Sequence, residues 1–386
     1  MQFVPRTIAT ALRKQAEKYP VLAVTGPRQS GKTTLLKEMF PDYTYVSLED
    51  LNTRLFAIED PVGFLNTYPE RAIFDEAQQA PQLFSYIQGR VDERRQMGQF
   101  ILSGSQNFHL LQHITQSLAG RVALFRLLPF DFAEMQAAQA LPDAWTKAVL
   151  NGFYPAIFDR GNDPSFFYHN YIQTYLERDV SQLDKVKDLR LFRNFLSLCA
   201  GRAGQLLNFS NLSNESGVSQ HIAKEWLSIL ESSYIVFQLP PYFQNFNKRI
   251  VKTPKLYFYD TGLLAYLLGI RSGGDGMDRE LLGSLFENMI IAEMHKQNNH
   301  RLLLREYFFW RDSNGNECDL LTPSGTSFDV FEIKAGETIY PKSFQGMDFF
   351  DNASGGRVRH KTLIYGGLEN QERTAYRVRA WRSCGD

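Results

Sequence analysis

The chain has 386 residues, of which 44% are hydrophobic and 13% aromatic, and its 42 basic residues balance its 42 acidic ones. This length suggests two or three domains, because a single core rarely grows beyond about 250 residues. The balanced charge excludes a global basic field, so any contact with nucleic acid must come from local patches. The cysteines Cys199, Cys318 and Cys384 are far apart and form no CxxC pair, which argues against a zinc site and a disulfide framework.

The first 130 residues alternate strand and helix signals. The apolar runs are VLAVT (21–25), YTYVSL (43–48), AIFD (72–75), FILSGS (100–105) and VALFRLL (122–128). Such continuous runs are typical of a parallel sheet that is covered on both faces. The start of the chain has no apolar core of signal-peptide length, and no run of about 18 apolar residues occurs, so we expect a cytoplasmic protein without a membrane contact.

The stretch GPRQSGKT (26–33) satisfies GxxxxGK[ST], follows the first apolar run and opens a helix-like segment. Gly26 and Gly31 would let backbone amides turn toward phosphate oxygens, while Lys32 would neutralise the β- and γ-phosphates and Thr33 would hold Mg²⁺. The alternative is a glycine-rich turn with a capping lysine. The predicted nucleotide-binding residues are Gly26, Pro27, Arg28, Gln29, Ser30, Gly31, Lys32, Thr33 and Thr34. The predicted cofactors are therefore ATP and Mg²⁺.

The stretch RAIFDEAQQ supplies the acidic residues that a hydrolysing NTPase needs. Asp75 would hold Mg²⁺ through its water shell, and Glu76 would polarise the attacking water. The alternative is an acidic helix N-cap. Ser103, Ser105 and Gln106 end the next apolar run and would lie beside the γ-phosphate as a polar sensor, unless they only form a turn.

Arg121 stands just before the last apolar run of this region. It is either an arginine finger that reaches the phosphate of a neighbouring subunit or a surface cation. A helical stretch follows, broken at NGFYP (151–155). Residues 191 to about 262 then read as three helices and a strand ribbon, which is a winged helix-turn-helix pattern. The cations of its wing that could meet DNA phosphates are Lys248, Arg249, Lys252 and Lys255. Winged helices also serve as joints between proteins.

After a long helix, the carboxyl-terminal strands carry a second set of charged residues. Asp319, Glu332 and Lys334, with Glu287 on the helix, supply the carboxylates and the lysine that a nuclease of the PD-(D/E)xK type needs around Mg²⁺. Asp319 and Glu332 are equidistant from the Gly325–Thr326 bond within TPSGTS, so a hairpin that turns there would place them opposite one another, with Lys334 or Mg²⁺ relieving the repulsion. The alternative is an amphipathic strand with Glu332 and Lys334 in water. Cys318 stands where the motif has proline.

Taken together, these motifs resemble a known family. GPRQSGKTTL, IFDEAQ, LSGSQ, LAGR and LPF are similar to the archaeal and bacterial AAA+-type ATPases that carry a winged-helix and nuclease-like carboxyl-terminal region. NGFYP, YLERDV, YDTGLLAYLLG, FENMIIAEM, YFFWRDSNGNECDLL and FEIKAG extend the likeness over nearly the whole chain. One departure is Asn151, where the family often has a second glycine. The resemblance implies ATP-dependent activity, oligomerisation and a role connected with DNA.

The expected fold is α/β: a P-loop NTPase parallel sheet with a helical lid, a winged helix-turn-helix, and an α/β restriction-endonuclease-like carboxyl-terminal domain. The expected limits are 1–132 for the AAA+ ATPase core, 133–190 for the lid, 191–277 for the winged helix and 278–386 for the nuclease-like domain. We expect an ATP hydrolase that binds DNA without sequence specificity and remodels or translocates it as a homo-oligomer, with a hexamer as one option. Whether the carboxyl-terminal centre cuts DNA stays open. The alternative is an ATP-dependent oligomeric switch or scaffold with an inactive nuclease-like domain.

Overall fold

The computed structural model describes residues 4–105, 114, 116–176, 186, 188–242, 251–271 and 278–385. The helices are α1 (Ala9–Ala16), α2 (Lys32–Met39), α3 (Leu51–Glu59), α4 (Pro61–Thr67), α5 (Leu83–Arg94), α6 (Phe132–Ala137), α7 (Trp145–Asn151), α8 (Pro155–Arg160), α9 (Pro164–Tyr171), α10 (Leu189–Ala200), α11 (Phe209–Ser216), α12 (Gln220–Ser232), α13 (Thr261–Leu267), α14 (Arg279–His300) and α15 (Gln345–Ser354). The strands are β1 (Val21–Thr25), β2 (Thr44–Ser47), β3 (Ala72–Asp75), β4 (Phe100–Gly104), β5 (Val122–Arg126), β6 (Val236–Leu239), β7 (Lys255–Phe258), β8 (Phe308–Arg311), β9 (Glu317–Ser324), β10 (Ser327–Lys334), β11 (Val358–Tyr365), β12 (Gln371–Glu372) and β13 (Arg377–Ala380). Short 3₁₀ turns occupy Ala77–Gln79, Pro341–Phe344 and Trp381–Ser383, and a π-helical turn occupies Ile172–Leu176.

The amino-terminal region is built on a five-stranded sheet in the order β2-β3-β4-β1-β5, and all its strand pairs are parallel. Every residue of β1, β3 and β4 is buried. Separate apolar clusters cover the two faces of the sheet, one around Phe74 and Phe100 and the other around Leu22 and Ile101. The predicted parallel sheet of a P-loop NTPase is therefore confirmed. Its carboxyl edge, where β1 and β3 end, is where the nucleotide motifs lie.

The middle of the chain contains the three helices α10, α11 and α12 followed by the antiparallel pair β6 and β7. Ser219 caps α12 by accepting a hydrogen bond from the amide of Ile222 at 3.3 Å. This element order agrees with the predicted pattern, while the winged-helix assignment itself stays a prediction. Lys248, Arg249 and the sensor candidate Gln106 lie outside the described residues.

The carboxyl-terminal region holds a six-stranded mixed sheet in the order β12-β13-β11-β10-β9-β8. The antiparallel β9–β10 hairpin pairs Phe331 with Leu320, so the next position in the same register sets Glu332 opposite Asp319. The predicted opposition of these two carboxylates is confirmed. The nuclease-like assignment of this region, and the expected domain limits, stay predictions.

One apolar core contains Val4 and then runs from Leu128 to Cys384, through the helices after β5, the middle region and the carboxyl-terminal sheet. Asn288, fully buried in α14, accepts a hydrogen bond from the amide of Phe258 at 2.8 Å and donates one to its carbonyl at 2.9 Å. The helix α14 is thereby fastened to β7. Among the residues that the structure describes, no helix combines the length and the apolarity that crossing a membrane requires.

The structure corrects the placement of Lys255. This residue was predicted to contact DNA from the wing, but it begins β7 with only 4% of its surface exposed. Its ammonium group is paired with the carboxylates of Glu287 and Glu317. The prediction was wrong because those acidic partners lie more than thirty positions further along the chain, where a count of local charges does not find them.

Candidate functional site

The loop between β1 and α2 has the backbone that a phosphate site requires. Gly26 and Gly31 have φ values of +151° and +92°, and a Cβ on Gly26 would overlap the carbonyl oxygen of Leu127. Only glycine fits there, because the loop crosses that backbone closely. Lys32 opens α2 and donates hydrogen bonds to the carbonyl oxygens of Gly26 and Pro27, each at 2.9 Å. The lysine therefore folds back over the loop whose amides would bind phosphate.

Asp75, the last residue of β3, accepts hydrogen bonds from three hydroxyl groups. The donors are Ser103 at 2.5 Å, Thr33 at 2.7 Å and Tyr45 at 2.7 Å. Burial acts to raise the pKa of Asp75, but these hydrogen bonds and the charge of Lys32 outweigh it and hold that pKa below its ordinary value. The structure thus brings the hydroxyl of Thr33 and an ionised carboxylate together, and these oxygen donors suit Mg²⁺.

Glu76 follows directly, with the left-handed backbone angles φ 53° and ψ 46°. Its Oε2 accepts a hydrogen bond from the hydroxyl of Ser105 at 3.0 Å and another from the side-chain amide of Gln78. Ser103 and Ser105, which were predicted to sense the γ-phosphate, therefore hold Asp75 and Glu76 respectively. The strand ends bring all four side chains to one edge of the sheet.

A cavity of about 560 Å³ opens beside this edge. Its volume falls within the usual range for small-molecule sites. The lining residues are Val4, Arg6, Arg28, Gln29, Gly31, Lys32, Thr33, Thr34, Glu49, Glu76, Phe130, Pro155, Ala156, Asp159 and Arg160. The P-loop forms one wall, and α8 forms the opposite wall with the residues from Pro155 to Arg160. Most of the predicted nucleotide-binding residues thus share one cavity.

Sequence reasoning missed Arg6, which fastens the P-loop to the rest of the domain. Its guanidinium donates to the carbonyl of Ser30 at 2.7 Å and to that of Leu128 at 2.6 Å, and its Nε lies 3.0 Å from Glu134. Arg6 is buried and lies over the ring of Phe130. An isolated arginine upstream of any motif gives no signal of such a role. Tyr45 and Arg160 were missed for the same reason.

Arg121 lies at the other edge of the sheet. It precedes β5, whose first residue pairs with Val21 at the start of β1, about 13 Å of strand length from the P-loop. Its guanidinium binds the carboxylate of Asp92 at 2.6 and 2.8 Å on the surface. Within one copy of the chain, the arginine therefore cannot reach its own nucleotide site. A role as an arginine finger would need a second copy and stays a prediction.

In the carboxyl-terminal region, Lys334 lies between the opposed carboxylates. Its ammonium contacts Asp319 at 3.0 Å and Glu332 at 2.6 Å. Glu332 is only 3% exposed, so the alternative that placed it in water on an amphipathic strand is wrong. Burial and the neighbouring Asp319 raise the pKa of Glu332 well above its ordinary value. The sequence left open whether Lys334 or Mg²⁺ lies between the two carboxylates, and in this structure Lys334 lies there.

Glu287 lies on the other side of this cluster, where its Oε1 accepts a hydrogen bond from the hydroxyl of Tyr257 at 2.6 Å and contacts Lys255 at 3.2 Å. In the described part of the chain, only Asp131, Glu134 and His300 bring three possible metal-ligand atoms within 4.8 Å of one another. The three predicted nuclease carboxylates, Glu287, Asp319 and Glu332, each contact a lysine in this structure, and their role around Mg²⁺ stays a prediction. Of the predicted DNA contacts, Lys252 is exposed.

The cluster of Asp131, Glu134 and His300 is closed by its own hydrogen bonds. His300 Nδ1 lies 2.8 Å from Asp131 Oδ2, and its Nε2 accepts a hydrogen bond from the amide of Leu128 at 3.2 Å. With Nε2 as acceptor, the ring is assigned the tautomer that carries its proton on Nδ1. Both ring nitrogens are thus engaged, and the cluster connects the chain after β5 to the end of α14.

Comparison with known proteins agrees with this geometry. Family profiles match an AAA domain over residues 18–136, a domain of unknown function (DUF8612) over 142–273 and a domain of unknown function (DUF4143) over 282–382. Uncharacterized proteins of Mycobacterium tuberculosis and Mycobacterium bovis are each 31% identical over 338 residues, which is 86% of this chain and 74% of each relative. The chain belongs to the family of these mycobacterial proteins. Its amino-terminal region is an AAA-type P-loop ATPase domain.

Three more distant matches cover between half and two thirds of this chain. An uncharacterized protein of Haemophilus influenzae is 23% identical over 210 residues, half of each chain. Among solved structures, a Walker-type ATPase of Pyrococcus abyssi matches with a TM-score of 0.46 and 14% identity, over 67% of this chain and 94% of that one. A RuvB variant of Thermotoga maritima matches with a TM-score of 0.31 and 15% identity, over 60% of this chain and 87% of that one.

Proposed function

We propose that this chain hydrolyses ATP with Mg²⁺ at the carboxyl edge of its parallel sheet and that the state of this site controls its carboxyl-terminal half. The observation that carries the first part is the 2.7 Å hydrogen bond from Thr33 to Asp75, directly beside Lys32 of the P-loop. Bound Mg²⁺ would supply charge neutralisation for the phosphates. Thr33 would be its direct protein ligand, and Asp75 would hold it through water.

The remaining residues have distinct tasks in this proposal. Lys32 exchanges the carbonyls of Gly26 and Pro27 for the β- and γ-phosphate oxygens. Glu76 takes the proton of the attacking water on its carboxylate, which Ser105 and Gln78 hold in place through Oε2. The helix α8 covers the cavity and limits the access of bulk water to the phosphates.

The second part rests on a contact between the P-loop strand and the middle of the chain. Thr25, the last residue of β1, donates its hydroxyl proton to the carbonyl of Phe125 at 3.1 Å. Because that proton is used, the 2.6 Å contact between Thr25 Oγ1 and the hydroxyl of Tyr234 has the tyrosine as donor. Tyr234 links α12 to β6 with a positive φ of 59°. A shift of the P-loop would therefore act on this linker directly.

A nucleotide-binding titration and an ATP turnover assay test the proposal. We expect Lys32→Ala to abolish ATP binding and turnover, because the other cation of the loop, Arg28, is directed toward Glu49 at 3.5 Å and does not stand in the place of the lysine ammonium. Lys18→Ala, which removes an exposed lysine of the same domain, should leave both unchanged. Hydrogen exchange of residues 220–258 should change on adding ATP and Mg²⁺ to the wild type but not to Lys32→Ala. Unchanged turnover in Lys32→Ala would refute the site, and an ATP-independent exchange pattern would refute the control of the carboxyl-terminal half.

Binding and remodelling of DNA by a homo-oligomer is a second candidate function. It is favoured by the exposed Lys252 next to the segment with Lys248 and Arg249, although the burial of Lys255 removes one of the four cations. ATP turnover that rises with DNA, and DNA binding that weakens steeply with salt, would support this candidate. An ATP turnover rate that does not change when DNA is added would favour a switch or scaffold. Oligomer formation, with a hexamer as one option, is proposed because Arg121 can only reach the phosphates of another copy.

A further inference from the structure

The carboxyl-terminal region contains four buried or half-buried carboxylates that already have cations. Lys255 enters this cluster from β7, where its ammonium contacts Glu287 at 3.2 Å and is hydrogen-bonded to Glu317. Its charge also interacts with that of Asp319. On the far side, Lys334 bridges Asp319 and Glu332. The cluster is thus filled by side chains of the protein from two directions.

Lys255 is held in this position by its surroundings. It is buried at the start of a strand whose backbone is fastened to α14 through Asn288, one residue after Glu287. A lysine this deeply buried would lose its proton unless carboxylates accompany it. Glu287 on α14 and Glu317 on β9 hold the ammonium of Lys255 from two different elements.

The start of α15 packs against the same cluster. Gly346 lies so close that a Cβ there would overlap Glu332 Oε1 and the carbonyl oxygen of Glu317. This contact holds Glu332 in the position from which its other oxygen contacts Lys334.

We propose that the ammonium group of Lys255 takes the place of a divalent cation among Glu287, Glu317 and Asp319. The carboxyl-terminal region then binds no Mg²⁺ or Mn²⁺ at this cluster and does not cut phosphodiester bonds. The inference does not depend on ATP hydrolysis at the P-loop, since none of its residues touches that site. It gives the acidic residues of this region a second role, since Glu287 and Glu317 accompany the buried Lys255.

Mn²⁺ binding to the nucleotide-free full chain tests the proposal, measured by equilibrium dialysis and electron paramagnetic resonance. All variants carry Asp75→Asn, so that the P-loop site does not contribute. We expect the Asp75→Asn parent and the same chain with Asp319→Asn to bind equal amounts of Mn²⁺. Adding Lys255→Met should create one further Mn²⁺ site per chain, because Glu287 and Glu317 lose their cation. Lys342→Met, which removes an exposed lysine of the same region, should create none.

Two results of the Mn²⁺ measurement would overturn the proposal. One is an Mn²⁺ ion bound by the parent and lost with Asp319→Asn, which would mean that the cluster takes a metal with Lys255 in place. The other is a folded Lys255→Met variant that gains no Mn²⁺, which would mean that something other than the ammonium excludes the metal. If Lys255→Met does not fold, the comparison of the parent with Asp319→Asn still decides. DNA cleavage by the parent that is lost with Asp319→Asn would also refute it.

Discussion

Glu76 combines the proposed catalytic base with a strained backbone, and the two properties can be separated by mutation. Its φ of 53° and ψ of 46° lie in the left-handed region, which costs a residue with a Cβ roughly 1–2 kcal/mol. Glycine avoids this cost but loses about 0.4–1 kcal/mol through the greater freedom of its unfolded chain. The Glu76→Gly and Glu76→Ala variants lose the same hydrogen bonds with Ser105 and Gln78. We therefore expect Glu76→Gly to be more stable than Glu76→Ala by about 0.5–1 kcal/mol.

Denaturant unfolding of the nucleotide-free variants measures this difference, and ATP turnover measures the chemistry. Both variants, and the isosteric Glu76→Gln, should keep ATP binding and lose turnover by roughly 10²- to 10⁴-fold, the usual contribution of a general base. A Glu76→Ala variant as stable as Glu76→Gly would contradict the argument from strain. Turnover at the wild-type rate in Glu76→Gln would contradict the assignment of the base.

Two further predictions concern a buried acid and the surface arginine. Burial raises the pKa of Glu293 to about 8, against the lowering effect of Lys296, from an ordinary value of 4.5. The folded chain then holds a proton that the unfolded chain releases, so this stabilisation is complete below about pH 4.5 and disappears as the pH rises through 8. Glu293→Gln should reduce the fall in melting temperature between pH 5.5 and pH 8. If the melting temperature falls as steeply with pH in Glu293→Gln as in the wild type, Glu293 is not the group responsible. Arg121→Ala subunits mixed into wild type should lower the ATP turnover rate by more than their share of the mixture. Arg13→Ala subunits, as the control, should leave the rate of the mixture equal to the sum of its parts. If the two mixtures give the same dependence on the fraction of variant, Arg121 is an ordinary surface residue.

The nucleotide site could be predicted because its determinants are local. The P-loop needs glycine where the backbone turns and crosses other chain segments, and Gly26 and Gly31 have the positive φ values that the motif implies. The opposition of Asp319 and Glu332 could also be predicted from the sequence, because the register of a hairpin follows from its turn. Within the P-loop and within the hairpin, the residues that decide the geometry lie within about fifteen positions of one another, whereas Thr33 and Asp75 are 42 positions apart and were linked through the motif that each belongs to.

The surroundings of the two sites could not be predicted in this way. Lys255 lies in a run of basic residues, and only its contacts with Glu287 and Glu317 show that it is buried rather than a phosphate contact. Arg6 reaches the P-loop through backbone carbonyls, which every residue has and which leave no pattern in a sequence. Contacts between residues far apart in the sequence decide both cases. Such contacts depend on how the separate elements pack against one another, which local sequence patterns do not determine.

The helix α14 provides the physical connection between the two regions. It has 22 residues, which corresponds to about 33 Å. At its end, His300 contacts Asp131 and the amide of Leu128, which also binds Arg6 of the nucleotide cavity through its carbonyl. Near its start, Glu287 meets Lys255. These buried polar contacts resist separation, since breaking each one leaves an unpaired group in the core. Glu287 lies on α14, and Asn288 joins α14 to the strand that Lys255 begins. A movement of the P-loop that reaches α14 would therefore move Glu287 and Lys255 together, which is the route by which the nucleotide site would act on the carboxyl-terminal half.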